Sequence, residues 1–411
     1  MYRTVLGNKS FVFFFLGGSI SRLGDVLTGL AFLFLAHDMT GSAWHTTGVV
    51  IAETAPYLLF GLVGGVVADW LPRQKLLMII DLVRAPLVLS VFLLHEAGQL
   101  SYVYLLIIGF LIQSLGCFFN PAHRAVLPLI TTSDERPAAN SLMDSASRGV
   151  QVLSPMLTVT LLGTAGVAAF FAFDAITYLM SAACLALLRV NEKAAASAQP
   201  RRLGDIYSSI REFVNWTKGE ATLRKLFLVS FFTVFFNTWV WEVGLLLTVK
   251  QLTVNGEEWY STLQGAFGGI VILTNLAIPL VWKQLSLRTY LLGAFIWGLG
   301  VLSLGGASHL AFPFLSIAIA GIGMPLAGLS RVYLLQQLVP GEKMGRGFSF
   351  NAMLLYLSNV LSLGVFGLIS AYLPLNALFL LCGGMMAATA CYSLYRLRKA
   401  PGETPYTRLN S

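Results

Sequence analysis

The chain has 411 residues, of which 56% are apolar and only 11% charged. A soluble domain carries roughly a quarter charged residues, so this composition excludes a well-wetted surface, and its apolar and aromatic content excludes disorder. The net charge of +8 does not point to nucleic acid, because no basic block is interleaved with the stacking aromatics that a single-strand groove needs.

A helix crosses the hydrocarbon with about 20 apolar residues. Stretches of that length recur at 11–35, 46–68, 76–95, 101–122, 139–162, 167–189, 226–249, 260–281, 289–308, 311–334, 347–371 and 374–396. Their length predicts helices rather than a barrel, whose strands need only about ten alternating residues. His123, Arg124, Asp144 and Arg148 interrupt the pattern in the fourth and fifth stretches. The first run has no small-residue cleavage pattern and reads as a span, not a cleaved signal. The expected fold class is therefore an all-α integral membrane protein of about twelve transmembrane helices.

Charge between the stretches sets the orientation. One set of junctions receives Arg3, Lys9, Arg73, Lys75, Arg124 and Arg136, then Lys193, Arg201, Arg202, Arg211, Lys218, Arg224 and Lys225 of the long middle segment. Lys283, Arg288, Lys343, Arg346, Arg396, Arg398, Lys399 and Arg408 complete that side. The opposite junctions hold only Lys250, against Asp38, Glu96, Glu257 and Glu258. The positive-inside rule then predicts that both termini are cytoplasmic, in a multi-pass protein of the cell (inner) membrane. The segment 191–225 is the one long connection. It opens on a small and polar run, then turns amphipathic through Leu203, Ile206, Tyr207, Ile210, Phe213 and Val214, which predicts a helix lying on the inner membrane surface. It divides the chain into two six-helix bundles, 1–190 and 226–411 with a short tail, as expected of duplicated transporter bundles.

Charges inside spans are costly, so each should face the interior or a partner. Asp25 has Arg22 three residues earlier on the same face; the two form a structural ion pair, or Asp25 is a carboxylate whose protonation is coupled to transport. Glu53 has no Lys or Arg within four residues. It is costly unless protonated part of the time, as proton exchange requires, or else it bonds a neighbouring helix as a neutral acid. Asp174 has no partner close in sequence. Glu242, flanked by Trp239 and Trp241, offers charge and aromatic surface to a cationic or amphipathic ligand; the alternative is an interfacial aromatic belt. Arg22 is a further candidate for the substrate cavity. Asp81 with Arg84, and Asp144 with Arg148, are spaced to satisfy each other near the cytoplasmic ends, where they would form or release a gate.

Cys117, Cys184, Cys382 and Cys391 lie inside apolar segments without metal or disulfide spacing and read as packing residues. The five histidines form no metal or acid–base cluster, and no nucleophile has an adjacent base. No phosphate-binding loop is present. Neither an enzyme nor a cofactor or metal is expected.

Residues 65–76 read Gly-Val-Val-Ala-Asp-Trp-Leu-Pro-Arg-Gln-Lys-Leu. This resembles the signature between the second and third spans of the major facilitator superfamily, matched at Gly65, Asp69, Arg73 and Lys75. Pro72 stands where that family usually has glycine. Ser21-Arg22-Leu23-Gly24-Asp25, Asn120-Pro121-Ala122, Ala139-Asn140-Ser141-Leu142, Phe173-Asp174-Ala175, Val339-Pro340-Gly341 and Gly345-Arg346-Gly347 resemble its drug-exporter branch, which includes macrolide and siderophore exporters. The resemblance implies the major facilitator fold and a latch in which Asp69 meets the start of the eleventh span at Gly345-Arg346-Gly347, with Arg124 beside it. It also implies a secondary transporter that exports a small amphipathic solute in exchange for protons. The expected partners are that solute, protons and membrane lipids, with no nucleic acid, and the chain is expected to act as a monomer. Movement of lysophospholipid or another lipid is the alternative within transport; a non-transporting scaffold or sensor is the alternative outside it.

Overall fold

The structure, a computed structural model, describes residues 1–41, 43–190 and 204–399. Lys193, Arg201, Arg202 and Arg408, counted above for orientation, lie outside those residues. A short α1 (Tyr2–Gly7) leads into α2 (Lys9–Thr40), α3 (Ala43–Trp70), α4 (Arg73–Glu96), α5 (Tyr102–Ile130), α6 (Arg136–Ala165) and α7 (Ala169–Ala186). After α8 (Asp205–Gly219) come α9 (Ala221–Trp239), a π-helical turn (Val240–Gly244), α10 (Leu245–Leu252), α11 (Gly256–Val281) and α12 (Leu287–Ser303). The chain ends in α13 (Ala311–Leu338), α14 (Met344–Ile369) and α15 (Leu375–Lys399).

Each stretch expected to span falls on a helix. Among the described residues, 11 helices are long and apolar enough to cross a membrane. Helix α6 is not among them; its first half carries Arg136, Asn140, Asp144 and Arg148. The protein is thus all-α and multi-pass. Helix ends fall where side chains replace missing backbone partners. Asn8 caps α2 by accepting from Phe11 N–H, Ser101 caps α5 by accepting from Tyr104 N–H, and Ser286 with Thr289 forms a capping box on α12.

The chain forms two compact units, Met1–Gly219 with Leu335–Met353, and Glu220–Leu334 with Leu354–Ser411. The first unit packs α2 and α4 against α7, and α3 against α5. Its apolar core includes Phe11, Phe14, Phe32, Phe170, Phe171 and Tyr178, all buried. The second unit packs α12 against α15.

Two features differ from expectation. Helix α8 forms as expected, but its apolar residues are used against protein: Phe213 is buried and, with Ile210, lines a small groove shared with Leu62, Phe350 and Arg346. Among its described residues only Tyr207, 75% exposed, is left as a large apolar side chain facing outward; Leu203 lies outside the described residues. The seventh span is not a continuous α-helix. It widens at Val240–Gly244, where Leu245 N–H reaches back to Val240 O, and single π turns of this kind are frequent at functional sites.

Candidate functional site

Asp69 lies one residue before the end of α3, and its carboxylate fills the amides left open at the start of α14. Gly345 N–H donates to Asp69 Oδ1 at 2.5 Å, and Arg346 N–H donates to Oδ2 at 3.1 Å. The first amides of a helix lack intrahelical acceptors and carry its positive pole, so a carboxylate is the natural occupant. Arg346 Nε adds a bond to Oδ2 at 3.0 Å, and Arg73 Nη2 stands 3.4 Å from Oδ1. Both guanidiniums are buried. Arg73 also donates to Ala125 O of α5 at 3.3 Å and to Gly341 O.

The approach depends on glycine. A Cβ on Gly65 would stand 2.6 Å from Gly345 O, and one on Gly345 would stand 2.5 Å from Gly65 O. The two backbones touch because neither residue has a side chain.

Helix α8 adds a component with no expectation attached to it. Glu212 accepts from Lys343 at 2.8 Å and from Arg346 at 3.3 Å, and Lys343 lies over the Trp216 ring. The bond from Lys343 and the charges of Lys343 and Arg346 hold the Glu212 carboxyl below the usual glutamate range. In the sequence Glu212 is one of two acids, with Asp205, set against two bases, Arg211 and Lys218, on an amphipathic helix, and nothing in that pattern singles it out. Arg124 lies over the Phe348 ring of α14 at 5.8 Å. Lys75 is exposed, and among the described residues no hydrogen bond or ion pair joins it to this group. Asp144 and Arg148 pair at 2.8 Å as their spacing predicts.

A second polar group fills the first unit where α2, α4 and α7 meet. Asp25 accepts from Tyr178 O–H at 2.7 Å, and Asp174 accepts from Thr177 O–H at 2.9 Å. Asp174 therefore has a partner close in sequence, contrary to expectation: a hydroxyl three residues on, one turn along the same helix. Asp81, Asp174 and Tyr178 are fully buried and Arg84 nearly so. Thr28 stands beside Asp174, and Ser181 beside Asp81.

Asp81 and Arg84 do not close the ion pair their spacing suggests. The Arg84 guanidinium instead donates to Ile112 O at 3.1 Å and lies over the Phe119 and Tyr178 rings at 5.3 and 5.4 Å. Nor do Arg22 and Asp25 pair; Arg22 is exposed while Asp25 turns to Tyr178. Three carboxyl groups, Asp25, Asp81 and Asp174, thus lie near one buried guanidinium, and among the described residues none forms an ion pair with it. Neither Asp81 oxygen nor Asp174 Oδ2 is hydrogen-bonded among the described residues. One positive charge offsets one carboxylate, and further bare charges at such burial are very costly.

Glu53 lies apart from this group. It is half-buried, its Cγ facing Gly109 of α5 near Phe32, and among the described residues no cation or hydrogen bond reaches it. In the second unit, Glu242 is exposed on the π turn. Trp241 lies against Phe267 with ring centroids 4.2 Å apart. Trp239 is in a different position from its expected one. It is only 2% exposed, in the core, with its backbone N–H donating to Ser362 Oγ at 3.0 Å. The widened turn separates the two tryptophans, so only Trp241 flanks Glu242 on accessible surface.

Residues 4–408 match a family described as transmembrane secretion effector. Macrolide efflux protein A of Streptococcus pyogenes is 24% identical over 402 residues, covering 93% of this chain and 95% of that protein. The putative bacilysin exporter BacE of Bacillus subtilis is 26% identical over 271 residues, 64% of each chain. Among solved structures, the fucose:proton symporter of E. coli superposes with a TM-score of 0.72 at 14% identity, covering 95% of this chain and 98% of the other.

Proposed function

Because the chain belongs to the transmembrane secretion effector family of the major facilitator superfamily, a family of secondary transporters of small solutes, we propose that it exports an amphipathic solute in exchange for protons. The solute is a drug-like compound or a metal-chelating metabolite. Alternating access runs between two six-helix bundles, 1–190 and 226–411, about twelve spans in all, with both termini in the cytoplasm. Export and a drug-like solute are supported by two relatives that carry the names of a macrolide efflux protein and a bacilysin exporter.

The observation that carries proton exchange is the buried group around Arg84. Asp81 and Asp174 are fully buried beside one guanidinium, so the site holds more carboxyl groups than a single positive charge offsets. A group that changes charge inside a span is what couples a solute to a proton gradient. The contact of Asp69 with Gly345 and Arg346 acts as the cytoplasmic gate, closed here, with Arg73 and Arg124 in support. Glu242 and Trp241 provide charge and a ring to a cationic solute.

Reconstituted, folded Asp174→Asn and Glu53→Gln proteins separate the candidates. Asp174→Asn retains solute-for-solute exchange, while its efflux driven by a pH gradient falls to the level of empty vesicles. Glu53→Gln retains gradient-driven efflux. The opposite pattern moves the proton to Glu53 and overturns the assignment.

A further inference from the structure

The second turn of helix α6 carries Asn140, inside the Ala-Asn-Ser-Leu stretch, for which the transport cycle above gives no role. Its side chain is 6% exposed, and that of Gln336, near the end of α13, is 4% exposed. The two amides bond reciprocally: Asn140 Nδ2 donates to Gln336 Oε1 at 2.7 Å, and Gln336 Nε2 donates to Asn140 Oδ1 at 3.3 Å. They are 196 residues apart in sequence. Arg136, one turn earlier on α6, donates to Gln336 O at 3.5 Å. The start of α6 is itself held in place, Ser141 being buried and bonded to Tyr2 O–H at 3.0 Å.

The arrangement is selective. Each primary amide offers a donor and an acceptor along one edge, and a closed pair uses both. A carboxylate in place of either amide loses a donor, and a shorter side chain loses the reach. The pair carries no charge, so neither salt nor pH near neutrality acts on it. It differs in this from the group around Asp69, where every side-chain member is ionisable. The two contacts hold the two sides of one connection: Gln336 is at the end of α13, and Gly345 and Arg346 are at the start of α14.

We propose that Asn140 and Gln336 are positioning residues for transport, an uncharged clamp that closes with the Asp69 contact and parts whenever the cytoplasmic side opens. The proposal rests on the alternating-access reading above. Losing one amide leaves its partner buried with an unmet donor and acceptor in the closed state only, since the open state admits water. Asn140→Ala and Gln336→Ala should therefore each raise the inward-open to outward-open ratio, by about tenfold.

The test uses full-length protein reconstituted in lipid vesicles, with spin labels near the end of α5 and the start of α14 and distances read by pulsed spin resonance. Asn140→Ala and Gln336→Ala should each shift the distribution, and the double variant should shift it by no more than either, because no amide is then left buried and unmet. The exchange Asn140→Gln with Gln336→Asn, which keeps the combined length, should restore it. None of these shifts should change between low and high salt. Asp69→Asn serves as the reference and should favour the open form by several-fold at low salt. Additive shifts in the double variant, or none in either single variant while Asp69→Asn moves the distribution, overturn the clamp and leave alternating access intact. A single unmoving distance in wild type under both directions of pH gradient overturns alternating access, and the clamp with it. Where an alanine variant folds poorly, Asn140→Cys with Gln336→Cys, in a background without the native cysteines, supplies the answer. A reducible bifunctional thiol reagent bridging the two should stop transport and its reduction should restore it; transport by the cross-linked protein overturns the clamp.

Discussion

At Gly24 a missing methyl group decides whether the buried acids can meet. A Cβ there would lie 2.0 Å from Asp174 Oδ1 and 2.2 Å from Thr177 Oγ1. Helix α2 passes α7 this closely only because position 24 is bare, and Asp25, next in the chain, then reaches Tyr178. Gly24→Ala should destabilise the protein by about 1–3 kcal/mol through overpacking, read as a lower melting temperature in detergent. An unchanged melting temperature would show that α2 and α7 are free to separate. The charges of this group stand out in the sequence, because apolar surroundings make each one costly. Their partners do not. Tyr178 and Thr177 are ordinary span residues, and whether Arg84 faces Asp81 or Tyr178 depends on side-chain rotamers and on how neighbouring helices are turned. Spacing along one helix says nothing of either. Spacing therefore suggests Arg22 with Asp25 and Asp81 with Arg84, and the folded protein forms neither pair.

Helix α8 shows how much an amphipathic pattern leaves open. The pattern predicts a helix in this segment but does not say what its apolar face meets, and here Phe213 and Ile210 line one groove with Leu62 and Phe350. Its polar side then brings Glu212 to Lys343 and Arg346. The Glu212 carboxyl is held below the usual glutamate range. An acid shifted that way contributes fully above its ordinary value, about 4.3, and loses the contribution only as pH falls through the lowered one. The bond between α8 and α14 should therefore be constant from about pH 6 to about pH 8. Glu212→Gln should weaken it equally across that range by less than about 1 kcal/mol, as expected of a half-exposed pair, and by less at high salt. Fluorescence transfer between labels on the two helices measures this, and a wild-type titration near neutral pH would contradict the assignment. The π turn at Val240–Gly244 has no counterpart in the apolar pattern. An extra residue in a turn leaves hydropathy unchanged while rotating Trp239 into the core and Glu242 outward.

The order of spans, by contrast, is readable along almost the whole chain, since bilayer thickness imposes one length on every crossing and Lys and Arg mark one side. Helix α6 blurs that signal, because its first half is shaped by Asn140, Asp144 and Arg148 rather than by lipid. The orientation makes a direct prediction. Single cysteines at positions 204 and 255, in a background lacking the native four, should react with an impermeant thiol reagent only from the cytoplasmic side and only from outside, respectively. Labelling of position 204 in intact cells would invert the arrangement.

The whole-molecule claim is that solute leaves the cytoplasm as protons enter. Inside-out vesicles carrying the reconstituted protein test it when the lumen is acid and a panel of amphipathic antibiotics and metal chelators is supplied outside. At least one compound should accumulate in the lumen, the lumen should turn less acid as it does so, and a protonophore should abolish both. Accumulation that is indifferent to the pH gradient, or solute movement out of the acid lumen, would contradict it.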